Sequence, residues 1–329
     1  MGGSVPFTGK CEMTCLVPVT ASVEIYDPRT GKFSPNGSLA EPRSGEEALL
    51  LKDGRVLVAG GDGDGVGELG TIEIYDPAGG TSVVVKPPAG MPSESAVVLL
   101  ADGRVLIAGG WYTYDTTSNA TVIFDPASGG FSNGPLMAEP RQGATATLLE
   151  DGRVLIVGGD NEGHGYIFPN SNAELIDPSH PLSQSTLLVL QDFATTSTLL
   201  SDGRVLVAGW GAYDNGAGCI TPVVSEVFDP GTERFTPVGP MSTPSTGSTA
   251  IKIQDGRVLF FGGVDSKCAA TGTVEAFDPD SGTFQVIATG FPDLSGFSAT
   301  LLDDGEILIA GGSSRSSGDL AAASWFIRP

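Results

Sequence analysis

The residues of this chain best suited to chemistry lie in a few short, variable segments. His164 and Tyr166 stand two apart in the run Asp160-Asn161-Glu162-Gly163-His164-Gly165-Tyr166. Such a pair can act as acid and base in proton abstraction, the step a polysaccharide lyase needs. Two further segments are aromatic and acidic: Trp111-Tyr112-Thr113-Tyr114-Asp115 and Trp210-Gly211-Ala212-Tyr213-Asp214. With Tyr166 they hold two of the three Trp and four of the six Tyr. An aromatic face covers the apolar C–H surface of a sugar or peptide while neighbouring carboxylates take hydroxyl or cationic donors. Trp111, Tyr112, Tyr114, Asp115, Asp160, Tyr166, Trp210, Tyr213 and Asp214 are therefore the candidate binding residues. The plainer role for Trp111 and Trp210 is padding between structural elements. Asp62-Gly63-Asp64-Gly65 resembles a fragment of a calcium loop but lacks the remaining EF-hand ligands. Calcium at Asp62 and Asp64 is the only cofactor the sequence suggests, and no cofactor is required.

The four cysteines, Cys11, Cys15, Cys219 and Cys268, show no zinc-ligand spacing. The net charge is -22, from 39 acidic and 17 basic residues. A chain this acidic repels phosphate backbones and anionic membranes, so a nucleic-acid partner is not expected. No run reaches the ~18 apolar residues that span a bilayer, and no apolar signal core follows Met1–Ser4. Gly-Lys-Ser phosphate loops, nucleophile elbows and His-Glu-x-x-His zinc motifs are all missing from the sequence.

What positions these segments is a repeat. Asp-Gly recurs at Asp53, Asp102, Asp151, Asp202, Asp255 and Asp304, at intervals of 49, 49, 51, 53 and 49 residues. Arg follows in the first five copies and Glu306 in the sixth. An apolar run flanks each pair on both sides, which predicts strand a, a tight type I′ turn and strand b. Strand b closes in Gly-Gly, as at Gly60-Gly61, Gly109-Gly110 and Gly158-Gly159. After a variable loop comes an aromatic or apolar residue followed by Asp-Pro, as at Tyr75-Asp76-Pro77, Phe124-Asp125-Pro126 and Phe228-Asp229-Pro230. This predicts strand c, a turn, and a short strand d. Strands a and b are near-continuously apolar, as in sheets covered on both faces. No helical period is sustained. An all-β fold follows, a β-propeller of four-stranded antiparallel blades stacked radially.

The apolar run ending in Gly-Gly, the aromatic-Asp-Pro strand and the following Phe (Phe33, Phe131, Phe284) resemble the kelch repeat. The Asp-Gly-Arg variant is similar to bacterial kelch-like proteins and to the propeller of the galactose oxidase group. The resemblance covers residues 21–329 as one domain, after an N-terminal extension of residues 1–20. It implies that Arg43 and Arg141, in the d–a loops, match an arginine that reaches toward the central opening in the family; Glu41 and Glu139 are their expected ion-pair partners. It does not carry over copper chemistry. The only histidines, His164 and His180, fall on opposite edges of the blades by strand parity.

Six a–b hairpins predict six blades, with Val23–Tyr26 and Phe33 supplying strands c and d of the last. The alternative is seven blades. Ser324–Pro329 reads as a further worn c strand, which either closes the last blade while Val23–Tyr26 packs elsewhere or belongs to the seventh. The ends of the chain are thus expected to close the ring, leaving no exposed edge. Parity puts the a–b and c–d turns on one edge and the long b–c and d–a loops on the other, where a partner would be met. Cys219 and Cys268, in b–c loops of adjacent blades, are a candidate disulfide, which would place the protein in an oxidising compartment. The sequence therefore points to a secreted or cell-surface binding module for a carbohydrate or protein partner. The alternatives are a polysaccharide-acting enzyme using His164 and Tyr166, and a structural module in an assembly.

Overall fold

The computed structural model describes residues 19–63, 67–87, 92–111, 116–163, 166–170, 172–180, 184–187, 194–209, 225–241, 248–262, 271–292, 294–314 and 325–327. They contain no helix. Five four-stranded antiparallel sheets, each in the order a-b-c-d, carry the repeat. The first is Glu47–Leu50, Val56–Ala59, Ile72–Asp76 and Thr81–Val85; the second is Ala96–Leu99, Val105–Ala108, Thr121–Asp125 and Gly130–Asn133. The third is Thr145–Leu148, Val154–Val157, Ala173–Ile176 and Gln184–Leu187; the fourth is Ala194–Leu199, Val205–Gly209, Glu226–Asp229 and Arg234–Pro237. The fifth is Thr249–Lys252, Val258–Phe261, Thr273–Asp278 and Thr283–Thr289.

The sixth hairpin corrects one expectation. Its strands Leu294–Leu301 and Ile307–Ser314 take Trp325–Ile327 as strand c, with Leu308 opposite Phe326. Ser22–Asp27 instead pairs with Lys32–Ser38 in a hairpin of its own. That hairpin packs on the first sheet, where Val23 and Leu39 meet Val58 and Tyr75. Val23 and Leu39 are almost wholly buried in this packing, and removing their apolar surface from water stabilises it. The fit is close: a Cβ on Gly37 would lie 1.8 Å from the Gly80 carbonyl oxygen, so only glycine lets the two turns meet.

Two compact units contain these sheets. The first is Met1–Gln142 with Glu162–Gly165; the second is Gly143–Asn161 with Tyr166–Pro329. Within each unit, consecutive sheets pack face to face. Leu57, Ala59, Ile72 and Ile74 of the first sheet meet Val105, Ile107 and Phe124 of the second. In the second unit the same layer recurs between sheets three and four, four and five, and five and six. Strand b is buried on both faces, as at Val154, Leu155, Ile156 and Val157, which explains its unbroken apolar run. The Phe after the Asp-Pro turn faces its aromatic partner across strands c and d: Phe124–Phe131, Phe228–Phe235 and Phe277–Phe284 all have ring centroids 4.9 Å apart.

The Asp-Gly turns differ from expectation in type. In the first, the Leu51 N–H bonds to the Arg55 carbonyl at 2.8 Å and the Gly54 N–H to the Leu51 carbonyl at 3.1 Å. Only the glycine is left-handed, with φ +87° at Gly54. This is a three-residue loop, a turn closed by a left-handed glycine, and not a two-residue type I′ turn. The aspartate explains it. Asp53 Oδ1 accepts the Arg55 N–H at 3.0 Å and Oδ2 accepts Arg55 Nε at 2.9 Å, so the carboxylate itself closes the turn with ordinary backbone angles.

The arginine then reaches onward. Arg55 Nη2 donates to the Pro126 carbonyl of the next sheet's c–d turn at 2.9 Å. Arg153 does the same to Pro230 at 3.0 Å and Arg204 to Pro279 at 3.3 Å. These three hairpins thus staple their own sheets to the ones after them. The bonds confirm that a–b and c–d turns share an edge.

Candidate functional site

The other edge carries the candidate site, and in the first unit it is built from the Gly-Gly pair outward. A strap preceding strand a passes against the end of strand b. Arg43–Ser44 pairs with Asp62–Gly63, which pairs with Gly67–Glu68, forming a small three-stranded sheet in the b–c loop. At the end of strand b of the second sheet its own strap meets Trp111 through Ser93, and the strap that follows its strand d lends the Arg141 carbonyl to the Gly110 N–H at 2.7 Å. A Cβ on Gly110 would lie 2.4 Å from the Ser93 carbonyl oxygen. The Gly-Gly signature therefore marks where a neighbouring backbone crosses the strand end.

Arg43 lies at the centre of this strap, fully buried. Nη1 donates to the Gly60 carbonyl at 2.6 Å; Nη2 reaches Glu73 at 2.7 Å and Glu41 at 3.2 Å. Glu73, also fully buried, further accepts Ala40 N–H at 2.7 Å, Glu41 N–H at 2.9 Å and Ser82 Oγ at 2.5 Å. Burial alone would raise its pKa, but these donors outweigh burial and hold the carboxyl below its ordinary value. Glu41 is completed by Thr71 Oγ1 at 2.5 Å. Arg43 thus acts as an internal brace that fixes the strap. Arg141 is equally buried.

From this brace a line of contacts runs to the aromatic loop of the second repeat. Asp62, exposed, stands opposite Glu68. Burial pushes the Glu68 carboxyl up, a hydrogen bond from Ser93 opposes this, and the Asp62 charge adds to the rise. Ser93 in turn exchanges both backbone hydrogen bonds with Trp111, each 3.0 Å, and Trp111 bridges on to Thr117. Trp111 is half-buried. One serine thus links the Trp111 backbone to the Glu68 carboxylate.

The remaining candidates are placed as follows. Asp160 is half-buried and opens the strand Asp160–Gly163. Tyr166 begins the strand Tyr166–Pro169, its side chain outside the description. Tyr112, Tyr114, Asp115, His164, Trp210, Tyr213, Asp214, Asp64, Cys219 and Cys268 lie outside the described residues. His180 lies beside the c–d turn of the third sheet, its Nδ1 2.7 Å from Asp177 Oδ2. Among the described residues no three or more His, Cys, Asp or Glu cluster as metal ligands, and no helix is long and apolar enough to cross a membrane.

Sequence reasoning missed the buried glutamate of strand c. It recurs three residues before Asp-Pro as Glu73, Glu174, Glu226 and Glu275, each at most 4% exposed. The Glu-x-x-Asp-Pro spacing was the available signal. Glu226 differs from Glu73: its Oε2 has no hydrogen-bond partner among the described residues, and burial pushes its pKa up. Arg43 lies ten residues before the Asp of its Asp-Gly turn; the fourth repeat has Asp192 at that position. A scan against models of protein families and a search of curated proteins give no match for this chain.

Proposed function

We propose that the chain is a kelch-like β-propeller whose b–c and d–a loop edge binds a partner, in the first instance a carbohydrate. The observation that carries this reading is that Ser93 is bonded both to the Trp111 backbone and to the Glu68 carboxylate, whose loop pairs with the strap held by Arg43. An aromatic ring beside a carboxylate is the arrangement that takes a sugar's C–H face and its hydroxyls together. The brace lowers the entropy lost on binding, because the loop is ordered beforehand. The opposite edge, with its repeated Asp-Gly and Asp-Pro turns, serves as scaffold. A glycan binding screen on the wild type and on Trp111→Ala tests this. The expected result is a set of bound glycans whose affinity falls at least about tenfold in the variant, with unchanged thermal unfolding. Absence of any glycan binding would overturn the carbohydrate reading and leave a protein partner as the one to pursue; release of unsaturated sugars would replace it with the lyase.

A further inference from the structure

The hairpin of Ser22–Asp27 and Lys32–Ser38 is fastened to the first sheet through one side-chain amide. Asn36 Nδ2 donates to the Tyr75 hydroxyl at 2.7 Å and to the Pro77 carbonyl at 2.8 Å; the Tyr75 hydroxyl donates back to the Asn36 carbonyl at 2.5 Å. Tyr75 is buried and Asn36 half-buried. The clasp sits where the hairpin register shifts, with Asn36 and Gly37 together opposite the single residue Val23, whose side chain is part of the packed layer. Gly37, at φ +73°, is pressed against the Gly80 carbonyl, and a Cβ on Gly80 would in turn lie 3.4 Å from Asn36 Oδ1. The residue that fastens the hairpin is thus an asparagine followed by glycine. This is the dipeptide in which an asparagine amide is lost most readily, because no side chain hinders the following backbone nitrogen.

We propose that Asn36-Gly37 is a self-modification site that works as a one-way latch on the hairpin. The Gly37 nitrogen attacks Asn36 Cγ, the Cγ–Nδ2 bond breaks, and ammonia leaves. Water then opens the resulting five-membered imide at either carbonyl and leaves aspartate or isoaspartate at position 36. No oxidant or reductant takes part. In the docked hairpin the amide is tied to Tyr75 and Pro77 and Gly37 is held on Gly80, so closing the ring requires the hairpin to lift first. The product does not regain the same seat. A carboxylate has no N–H for the Pro77 carbonyl and sets two acceptors face to face where a 2.8 Å bond now stands. Isoaspartate also lengthens the main chain beside Gly37, where the contact with Gly80 leaves no room for a further carbon. Release uncovers Val58 and Tyr75, which the hairpin now buries with Val23 and Leu39. The other described Asn-Gly pair, Asn133-Gly134, has its asparagine exposed. The latch is separate from the Trp111 loop edge and stands or falls without it.

The test has two arms on the full chain. The first follows amide-to-acid conversion at Asn36 by mass-spectrometric peptide mapping at mildly alkaline pH, with a synthetic peptide of residues 32–40 as the unfastened reference. Asn36 in the wild type is expected to convert at least about tenfold more slowly than in the peptide, because only the lifted hairpin reacts. Tyr75→Phe removes the hydroxyl from both of its bonds to Asn36 and is expected to speed conversion about tenfold over the wild type. The second arm reads the consequence by amide hydrogen exchange. Asn36→Asp is expected to exchange across residues 22–38 at least about tenfold faster than the wild type, while strand Val105–Ala108 of the second sheet is unchanged. Equal conversion rates in the wild type and the free peptide would overturn the proposal, since docking would then not gate the reaction. So would an Asn36 that stays an amide in Tyr75→Phe while the peptide converts fully. An Asn36→Asp hairpin that exchanges as slowly as the wild type would overturn it as well, by showing that the acid keeps the seat.

Discussion

Arg43 and Glu73 meet at 2.7 Å with neither side chain exposed to solvent. Glu73 accepts bonds from three further donors, and Arg43 donates to the Gly60 carbonyl and to Glu41, while its buried Nε has no partner among the described residues. Removing one member would strand the other. Arg43→Ala is expected to cost about 3–5 kcal/mol, read by denaturant unfolding, while Arg43→Met with Glu73→Leu should recover most of that loss. A double variant no more stable than Arg43→Ala would show that the pair's polar neighbours, and not the pair itself, dominate.

The same pair sets an acid limit. Glu73 has a folded-state pKa below its unfolded value, so its contribution is complete above the unfolded carboxylate range and is lost as pH falls through the folded pKa. Stability of the wild type should decline more steeply below the ordinary carboxylate range than that of Arg43→Met/Glu73→Leu. Parallel pH profiles for the two would refute the assignment.

Glu226 should behave in the opposite sense. Its folded pKa is raised by burial, so the folded state holds its proton more tightly than the unfolded chain does. Its stability is greatest below the unfolded pKa and is lost as pH rises through the folded pKa. Glu226→Gln keeps the shape and removes the charge, and should flatten this pH dependence and raise stability at neutral pH, because burial penalises the charged carboxylate and not the neutral amide. Destabilisation at pH 7 would mean that the carboxylate has a cationic partner.

Gly54 has φ +87°, and nothing lies within 4 Å of a Cβ built there. Gly54→Ala therefore isolates backbone strain from crowding and should cost about 1–2 kcal/mol. Gly37→Ala combines strain with a clash against Gly80. It should cost more, and limited proteolysis should then cut within residues 20–40 before the rest of the chain. Equal losses in the two variants would show that the hairpin does not depend on its contact with Gly80.

Much of this was legible in the residues. The interval between Asp-Gly pairs located every a–b hairpin, because a carboxylate and a glycine at one spacing can only repeat if the turn repeats. The turn type was misread for a local reason: the Asp53 side chain closes the loop through the Arg55 N–H, a bond that dipeptide preference does not reveal. The sixth sheet's strand c was misassigned because Val23–Tyr26 and Trp325–Ile327 both suit a half-buried strand, and long-range pairing decides between such equals. The Arg43–Glu73 brace was half visible. Arginine and Glu41 were read as neighbours in sequence, while Glu73, 30 residues on, needed the fold to bring it in.

The staples from Arg55 to Pro126, Arg153 to Pro230 and Arg204 to Pro279 all point from one repeat to its successor. Each of these three repeats therefore carries a clasp for the sheet ahead, and Pro126, Pro230 and Pro279 are the eyelets that receive it. Where both parts are present, the joint is specified by the repeats themselves, so a copied pair of repeats would carry its own fastening.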